Sequence, residues 1–459
     1  MSIFGANDIR GLFPEEWNGE TAYRIGRSLP DVLDGNSFVI GRDARTSSEE
    51  ILSHLTRGLI QRGVRVTDIG LVDTPAIYFA VGRMGFDAGL MITASHNPAG
   101  YNGIKLTGQN AAPIDSHSGL KNLARIVLAT SGTDREARQK AESPGDLRTV
   151  DIGADYISYL NSLRDTATGI KAVFDCSSGM AGRFIHGILD EMPGESIVVN
   201  DEIDGTFPVH GPNPSLAENL RQVQELVVSE QADIGFCFDG DGDRVVMVDA
   251  EGEVVSPDLL TAILGLYYFR HRPEKSAGNK TVLVDIRSSN SIAEFLKTLG
   301  AEPMECPVGH AKIKRLMRKT DALFGGELTG HYYFKENYYC DSPWLTIFRV
   351  LCVLAEGDST LAEMRARIMQ YHFSGELNFV VENQDVIVDR LLEDYADGEI
   401  SRLDGVRFDY PDWWFIVRKS STEPYLRLIV EARNREELEL RTDELTNRIT
   451  DLQGEAHAR

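Results

Sequence analysis

No stretch of the 459 residues approaches the run of about 18 uncharged apolar side chains that a membrane-spanning helix needs. The opening residues, MSIFGANDIRG, lack the basic-then-apolar plan of a signal peptide. Cysteine is scarce. Cys176, Cys237, Cys306, Cys340 and Cys352 are scattered, odd in number and never in a CxxC pair. That argues against a disulfide framework or a zinc site and suits a reducing, cytoplasmic setting. Basic residues are outnumbered, with 47 Lys+Arg against 70 Asp+Glu and a net charge of −23. Such a surface disfavours nucleic acid and anionic membranes, which are held by clustered Lys and Arg. An anionic small molecule would have to be drawn in by a few local cations. There is no Walker A loop, dinucleotide fingerprint or GxSxG elbow, so neither ATP, NAD nor a serine-hydrolase site is implied. A monomer or a small homo-oligomer is expected.

What is present is an ordinary globular composition, 42% apolar and 25% charged, in a chain too long for one core. Strand-like and helix-like segments alternate. SFVIG (37–41) reads as a buried strand, SSEEILSHLTRGLIQRG (47–63) as a helix with a serine cap, VRVTDIG as a strand, PAIYFAVGRMG as a helix and AGLMIT (88–93) as a strand. This βαβ rhythm implies a parallel sheet covered by helices. It restarts at IKAVFDC (170–176), closing on ADIGFCF (232–238), and again at KTVLVDI (280–286), reaching ALFG (322–325). The polar stretch near 130–150 reads as an exposed helix and linker. In the tail, strands ELNFVVEN, VRFDYPDWWFIVRK and YLRLIVEA precede a helix capped by Asn434, a small α+β pattern. The expected fold is therefore α/β: three successive mixed or parallel-sheet α/β domains (1–150, 151–250, 251–370) and a smaller C-terminal α+β domain (371–459) around a central cleft. Ligands of parallel sheets gather beyond the carboxyl ends of strands. The three most unusual loops, TASHNP, DGDGDR and GGELTGH, all follow strands.

DGDGDR places Asp239, Asp241 and Asp243 within five residues, with Arg244 after them. Like charges that close are costly unless a cation lies among them. An EF-hand would need Gly at the sixth position and Glu at the twelfth, where Arg244 and Ala250 stand. All-oxygen ligands without sulfur or imidazole favour magnesium over zinc. A plain glycine–aspartate hairpin with solvated carboxylates is the alternative. So is a DxDx[TV] phosphatase using Asp239 as nucleophile, although Asp243 occupies the Thr/Val position. TASHNPAGYNGIK (93–105) offers a second nucleophile, Ser95, on a tight turn. Its neighbour His96 is not expected to face it, because adjacent side chains seldom meet.

Four motifs in this order, TASHNP, DGDGDR, GELTGH and RKSSTEPYLR, resemble those of the α-D-phosphohexomutase family, in its phosphomannomutase/phosphoglucomutase branch. NDIRG (7–11), GRDAR (41–45), DGTFPVHGPNP (204–214), DIRSS (285–289) and PVGH (307–310) are lesser matches, so the resemblance spans nearly the whole chain. It implies that Ser95 carries a phosphoryl group and that Mg2+ is held by Asp239, Asp241, Asp243 and an oxygen of that phosphoserine. It places Arg10, Lys105 and Arg244 at the transferred phosphate. Lys105, with its pKa lowered, and His310 are the candidate acid/base groups. Glu327, Thr329 and His331 would clamp sugar hydroxyls. Arg418, Ser420, Ser421, Thr422 and Arg427 would hold the other phosphate. Asn7, Thr329 and Ser421 depart from residues common in the family.

The implied reaction interconverts hexose 1-phosphate and hexose 6-phosphate, of mannose, glucose or both. It runs through a phosphoserine enzyme and a hexose 1,6-bisphosphate that turns end over end. A clamp reading the 3- and 4-hydroxyls need not read carbon 2, so activity on both sugars is expected. Reorientation needs room, and the tail domain is expected to hinge. A phosphoglucosamine mutase is an alternative that Leu328, where that branch usually has Gln, makes less apt. A phosphatase built on Asp239 and a non-enzymatic sugar-sensing protein are alternatives of other classes.

Overall fold

The computed structural model describes residues 3–129, 144–165, 169–357, 359–419 and 425–457. Four sheets follow one another along the chain. The first has seven strands. At its centre Ser37–Arg42 pairs in parallel with Arg65–Leu71 and Ala88–Ile92. The second has five, with Lys171–Asp175 parallel to both Ile234–Phe238 and Glu195–Val199. The third has five, with Thr281–Asp285 parallel to Glu302–Cys306 and Phe324–Gly326. The fourth is a six-stranded antiparallel sheet.

One topological device recurs where the sequence shows no repeat. In each of the first three sheets a parallel strand ends, turns, and returns as its own antiparallel neighbour. Ala88–Ile92 returns as Tyr101–Gly108, Ile234–Phe238 as Val245–Asp249, and Phe324–Gly326 as Tyr332–Phe334. The three turns are the three unusual loops. Each is held at both ends by strand pairing, which fixes its direction more firmly than a crossover to a helix would.

Several local readings are corrected. Leu147–Thr149, expected within a linker, is an edge strand paired with Arg65–Leu71, and residues 130–143 lie outside the description. Ser47 precedes the helix Ser48–Ile60 but makes no capping bond with its side chain. Its hydroxyl instead accepts from Asn102 Nδ2 at 2.8 Å. In the tail, a helix Gln384–Asp394 stands between strands Leu377–Val380 and Glu399–Ser401. Its buried Ile387, Val388 and Leu391 sit at helical spacing and face the sheet. Asn434 caps the last helix as expected, accepting from Glu437 N at 2.8 Å.

The cores are unequal. The second and third units share one, where Phe238 meets Trp344 with ring centroids 5.0 Å apart, and Phe79 of the first unit joins it. The fourth sheet has a core of its own, built on Phe408, Phe415, Val430 and Leu445. It meets the third unit at a seam over residues 286–290. Arg407 donates to Ile286 O at 2.8 Å and Asn290 Oδ1 at 2.7 Å while lying 3.8 Å over the Trp414 ring. Glu431 Oε2 accepts from Trp414 Nε1 at 2.6 Å and Asn290 N at 2.9 Å.

Burial, helped by Asp258, pushes the Glu431 carboxyl from its ordinary 4.5 up to about 7. A folded-state value above the unfolded one contributes stability below about 4.5, and that contribution is lost as pH rises through about 7. Glu431→Gln keeps an oxygen for both accepted bonds and cannot ionise. Its thermal midpoint is expected to exceed wild type at about pH 8, with the gap closing by about pH 5. A difference independent of pH would contradict this assignment.

Candidate active site

The first and second loops meet. Ser95 Oγ donates to Asp239 Oδ2 at 3.1 Å, across 144 positions of sequence. Ser95 sits in the left-handed region at φ 54, and its N–H donates to Thr93 Oγ1 at 2.8 Å. That backbone turns the next ring back, so His96 Nδ1 lies 3.2 Å from Ser95 Oγ. The expectation that Ser95 and His96 would not meet is overturned by this one torsion. Burial, with Arg244 and Arg10 nearby, presses the His96 imidazole down to about 2, so it is neutral.

The carboxylates of Asp239, Asp241 and Asp243 are buried, and each offers an oxygen within 4.8 Å of the others. Asp241 Oδ1 and Asp243 Oδ1 have no hydrogen-bond partner among the described residues. Asp239 Oδ1 is fixed by the N–H groups of Asp243 and Arg244 at 3.0 and 3.2 Å. Burial and its two neighbours raise the Asp239 pKa well above the usual carboxylate range. Asp243 is held well below that range despite its burial, because Lys105 and His331 face it. Converging buried oxygens with orphaned lone pairs fit a hard divalent cation.

Lys105 closes this cluster. Its Nζ lies 2.6 Å from Asp241 Oδ2 and 2.5 Å from Asp243 Oδ2. Burial alone would lower its pKa, but the aspartates outweigh burial and hold it well above the ordinary value. The expected lowered pKa is therefore corrected: Lys105 is a firmly charged ammonium. Arg244 lies 3.7 Å from Asp239 Oδ2 and donates from Nε to His331 Nε2 at 3.1 Å.

The third loop presents Glu327, Thr329 and His331. Glu327 accepts from Gly309 N at 3.0 Å and from Tyr333 Oη at 2.9 Å. Its pKa is lowered against burial, chiefly by His331 and Arg287. His331 Nδ1 lies 3.1 Å from Thr329 Oγ1 and 3.2 Å from Glu327 Oε2. Burial and Arg244 oppose protonation of His331, while Asp243 and Glu327 outweigh them and hold it at about 9. The Arg244 contact requires Nε2 to accept, so a protonated ring must exchange that contact for Asp243 Oδ1, 3.3 Å away.

These groups edge a cavity of about 510 Å³ whose lining includes Arg10, Lys105, Arg244, His310, His331 and Asn7. Arg10 is braced by Asn97 Oδ1 at 2.8 Å and Asp8 Oδ2 at 2.5 Å. His310 is kept neutral by burial and by Lys314 and Lys105, its ring centroid 6.2 Å from that of His331. A chain of net charge −23 thus gathers cations at its cleft.

The fourth unit contributes less directly. Arg418 does not line the cavity. It lies 3.5 Å from Asp404 Oδ2, which accepts from Val308 N at 2.7 Å beside the His310 loop. Arg427, its cross-strand partner, pairs with Glu376 at 3.1 Å. Ser420, Ser421 and Thr422 lie outside the described residues. Sequence reasoning passed over Arg45, Asn97 and Arg287, which orient the loops rather than fill them. Arg287 bonds Asp285 and lies 3.9 Å from Glu327. The signals for these were the short motifs GRDAR, TASHNP and DIRSS.

Comparison with known proteins bears on this arrangement. The family description "Phosphoglucomutase/phosphomannomutase, alpha/beta/alpha domain I" matches residues 1–131, domain II residues 154–252, domain III residues 256–371 and the C-terminal domain residues 376–448. A phosphomannomutase of Escherichia coli is 35% identical over 446 residues, covering 94% of this chain and 95% of that one. Phosphohexose mutases of Xanthomonas campestris pv. campestris are 36% identical, over 97% of this chain and 99% of theirs. The crystal structure of a phosphoglucomutase/phosphomannomutase family protein from Burkholderia thailandensis superposes with a TM-score of 0.87 at 29% identity, covering 98% and 97% of the two chains. With four successive matches and relatives along almost its full length, the chain belongs to the phosphoglucomutase/phosphomannomutase family.

Proposed function

We propose that this chain is a phosphohexose mutase that interconverts hexose 1-phosphate and hexose 6-phosphate, of mannose and glucose, through a phosphoserine and a 1,6-bisphosphate. The observation that carries the reading is the 3.1 Å contact between Ser95 Oγ and Asp239 Oδ2, which sets a nucleophile against a buried acidic cluster. Ser95 carries the phosphoryl group. Asp239, Asp241 and Asp243, with a phosphoserine oxygen, would hold Mg2+, which would supply Lewis-acid withdrawal of charge from that group. The four units, divided near 150, 250 and 370, each lend a loop to one cleft.

Phosphoryl transfer asks mainly for positioning and charge neutralisation. Arg10, Lys105 and Arg244 supply fixed positive charge in the cavity lining. Lys105 acts as that charge, since its two carboxylate partners oppose loss of its proton. His310, in the cavity lining, takes the proton of the attacking sugar hydroxyl; burial, Lys314 and Lys105 oppose its protonation, and the negative charge of a bound phosphate would offset them. Glu327, Thr329 and His331 hold sugar hydroxyls in either orientation. Arg418 with Ser420, Ser421, Thr422 and Arg427 holds the phosphate that is not transferred. A phosphatase built on Asp239 is disfavoured, because Asp243 stands where that motif needs Thr or Val, and a separate hydroxyl, Ser95 Oγ, is set against Asp239 Oδ2.

Wild-type protein with Mg2+ and a trace of bisphosphate should convert both mannose 1-phosphate and glucose 1-phosphate without net release of inorganic phosphate. Ser95→Ala should lower both rates by about 10³-fold or more in a coupled assay. Undiminished conversion by that variant would sink the proposal. Asp241→Asn should weaken Mg2+ binding at least about tenfold by calorimetry. Unchanged binding would move the metal elsewhere.

A further inference from the structure

Arg45 lies behind the reacting groups, yet the Ser95 loop is assembled on it. Its side chain is fully enclosed and paired with Asp43 through Nε at 3.0 Å. Nη1 donates to Pro98 O at 2.7 Å and Tyr101 O at 3.0 Å, and Nη2 to Ser95 O at 2.7 Å and Asn97 O at 2.6 Å. One guanidinium therefore gathers four carbonyls of a single loop. Asp43 is itself fixed by Ser48 Oγ at 2.8 Å, so the fork cannot rotate freely. Carbonyls bound in this way cannot swing toward the Ser95 hydroxyl, where their negative ends would meet an incoming phosphate. The left-handed torsion at Ser95 depends on a surrounding structure that holds it, since such backbone is uncommon for a non-glycine residue.

The same guanidinium reaches the second unit. Its carbon lies 5.2 Å from the centroid of Phe207, a residue of DGTFPVHGPNP that is itself left-handed at φ 52. Close packing leaves this joint little play. A Cβ on Gly205 would stand 2.0 Å from Ala44 O, and one on Gly240 would stand 2.9 Å from Ser95 O and 3.3 Å from the Phe207 ring. Gly240 lies between the metal-site aspartates Asp239 and Asp241. Arg45 thus holds the serine loop directly and reaches the aspartate loop through Phe207, beside which Gly240 packs.

We propose that Arg45 is a positioning residue for phosphoryl transfer. It fixes Ser95 in register with the aspartates of the second unit by clamping the serine loop and seating Phe207 upon it. The proposal rests on the mutase reading and deepens it. It is tested with R45M, R45K and F207L, using hexose 1,6-bisphosphate labelled in its phosphates. The fraction of chains that take the label is counted, and kcat is expressed per labelled chain.

R45M is expected to lower that per-chain turnover by about 100-fold, the cost of a loop displaced by about an ångström. KM for the monophosphate should stay within about twofold, because Arg45 touches no substrate. R45K, with one donor group in place of a planar fork, should recover part of the loss. A merely structural role would lower the labelled fraction and the melting midpoint while leaving per-chain turnover at the wild-type level, and that result overturns the proposal. Should R45M fail to fold, R45K and F207L decide it. Wild-type per-chain turnover in both overturns it, and a loss in either at unchanged KM supports it. Wild-type protein that neither takes the label nor interconverts hexose phosphates sinks the mutase reading and the role of Arg45 with it.

Discussion

Three carboxylates cannot be buried side by side unless positive charge is buried with them. Asp239, Asp241 and Asp243 lie within one turn of chain and almost out of reach of water. Each would repel the others with several kcal/mol if nothing intervened. The rest of the centre can be read as the means of holding that arrangement. Lys105 crosses from the first unit to place its ammonium between two of the three, and Arg244 stands over the remaining one. Asp241 Oδ1 still lacks a partner among the described residues and Asp243 Oδ1 faces His331 at 3.3 Å, and a divalent ion is the group whose charge and coordination suit them. Because the cations come from different parts of the chain, the acidic cluster cannot form without bringing the first and second units together. Electrostatics and domain packing are therefore one problem, solved once.

The recurring turn explains how the loops arrive in register. A loop after a parallel strand ordinarily leads into a helix and points wherever the helix takes it. Here the chain doubles back beside itself three times, so the tips of 93–100, 239–244 and 327–331 project from paired strands as from the bend of a hairpin. Rigid elements hold reacting groups more closely than free loops do. The left-handed torsion at Ser95 shows the tightness of this fit, since it both exposes the hydroxyl to Asp239 and folds the His96 ring against it.

Much of this was legible in the amino-acid order, and the remainder had physical reasons for being hidden. The periods of apolar residues marked the alternating strands and helices, and the spacing of aspartates marked a cation site. Lys105 shows the limit. Its burial could be guessed, which argued for a lowered pKa, but its protonation is set by two carboxylates 136 and 138 positions away. Likewise Ser95 and His96 were set apart by a rule about neighbouring side chains that holds for common backbone torsions and fails at φ 54. Arg45 escaped notice because it bonds carbonyls, which every residue possesses, so no side-chain type downstream announces the contact. The helix Gln384–Asp394 was missed between strands because Val386, Ile387 and Val388 form a β-branched run that reads as strand as readily as helix.

The unequal partition of the cores has a mechanical consequence. The first unit has a core of its own but also joins the second and third through shared aromatic packing, whereas the fourth keeps its own apolar interior and, among the described residues, meets the third at a small apolar seam of Ile286, Trp414, Ile416 and Ile429 with Val308 against it. A jaw hung in this way can gape without wetting the molecule's interior. Parting the fourth unit from the third would expose one small greasy patch and break a handful of polar contacts, while both neighbouring interiors stayed dry.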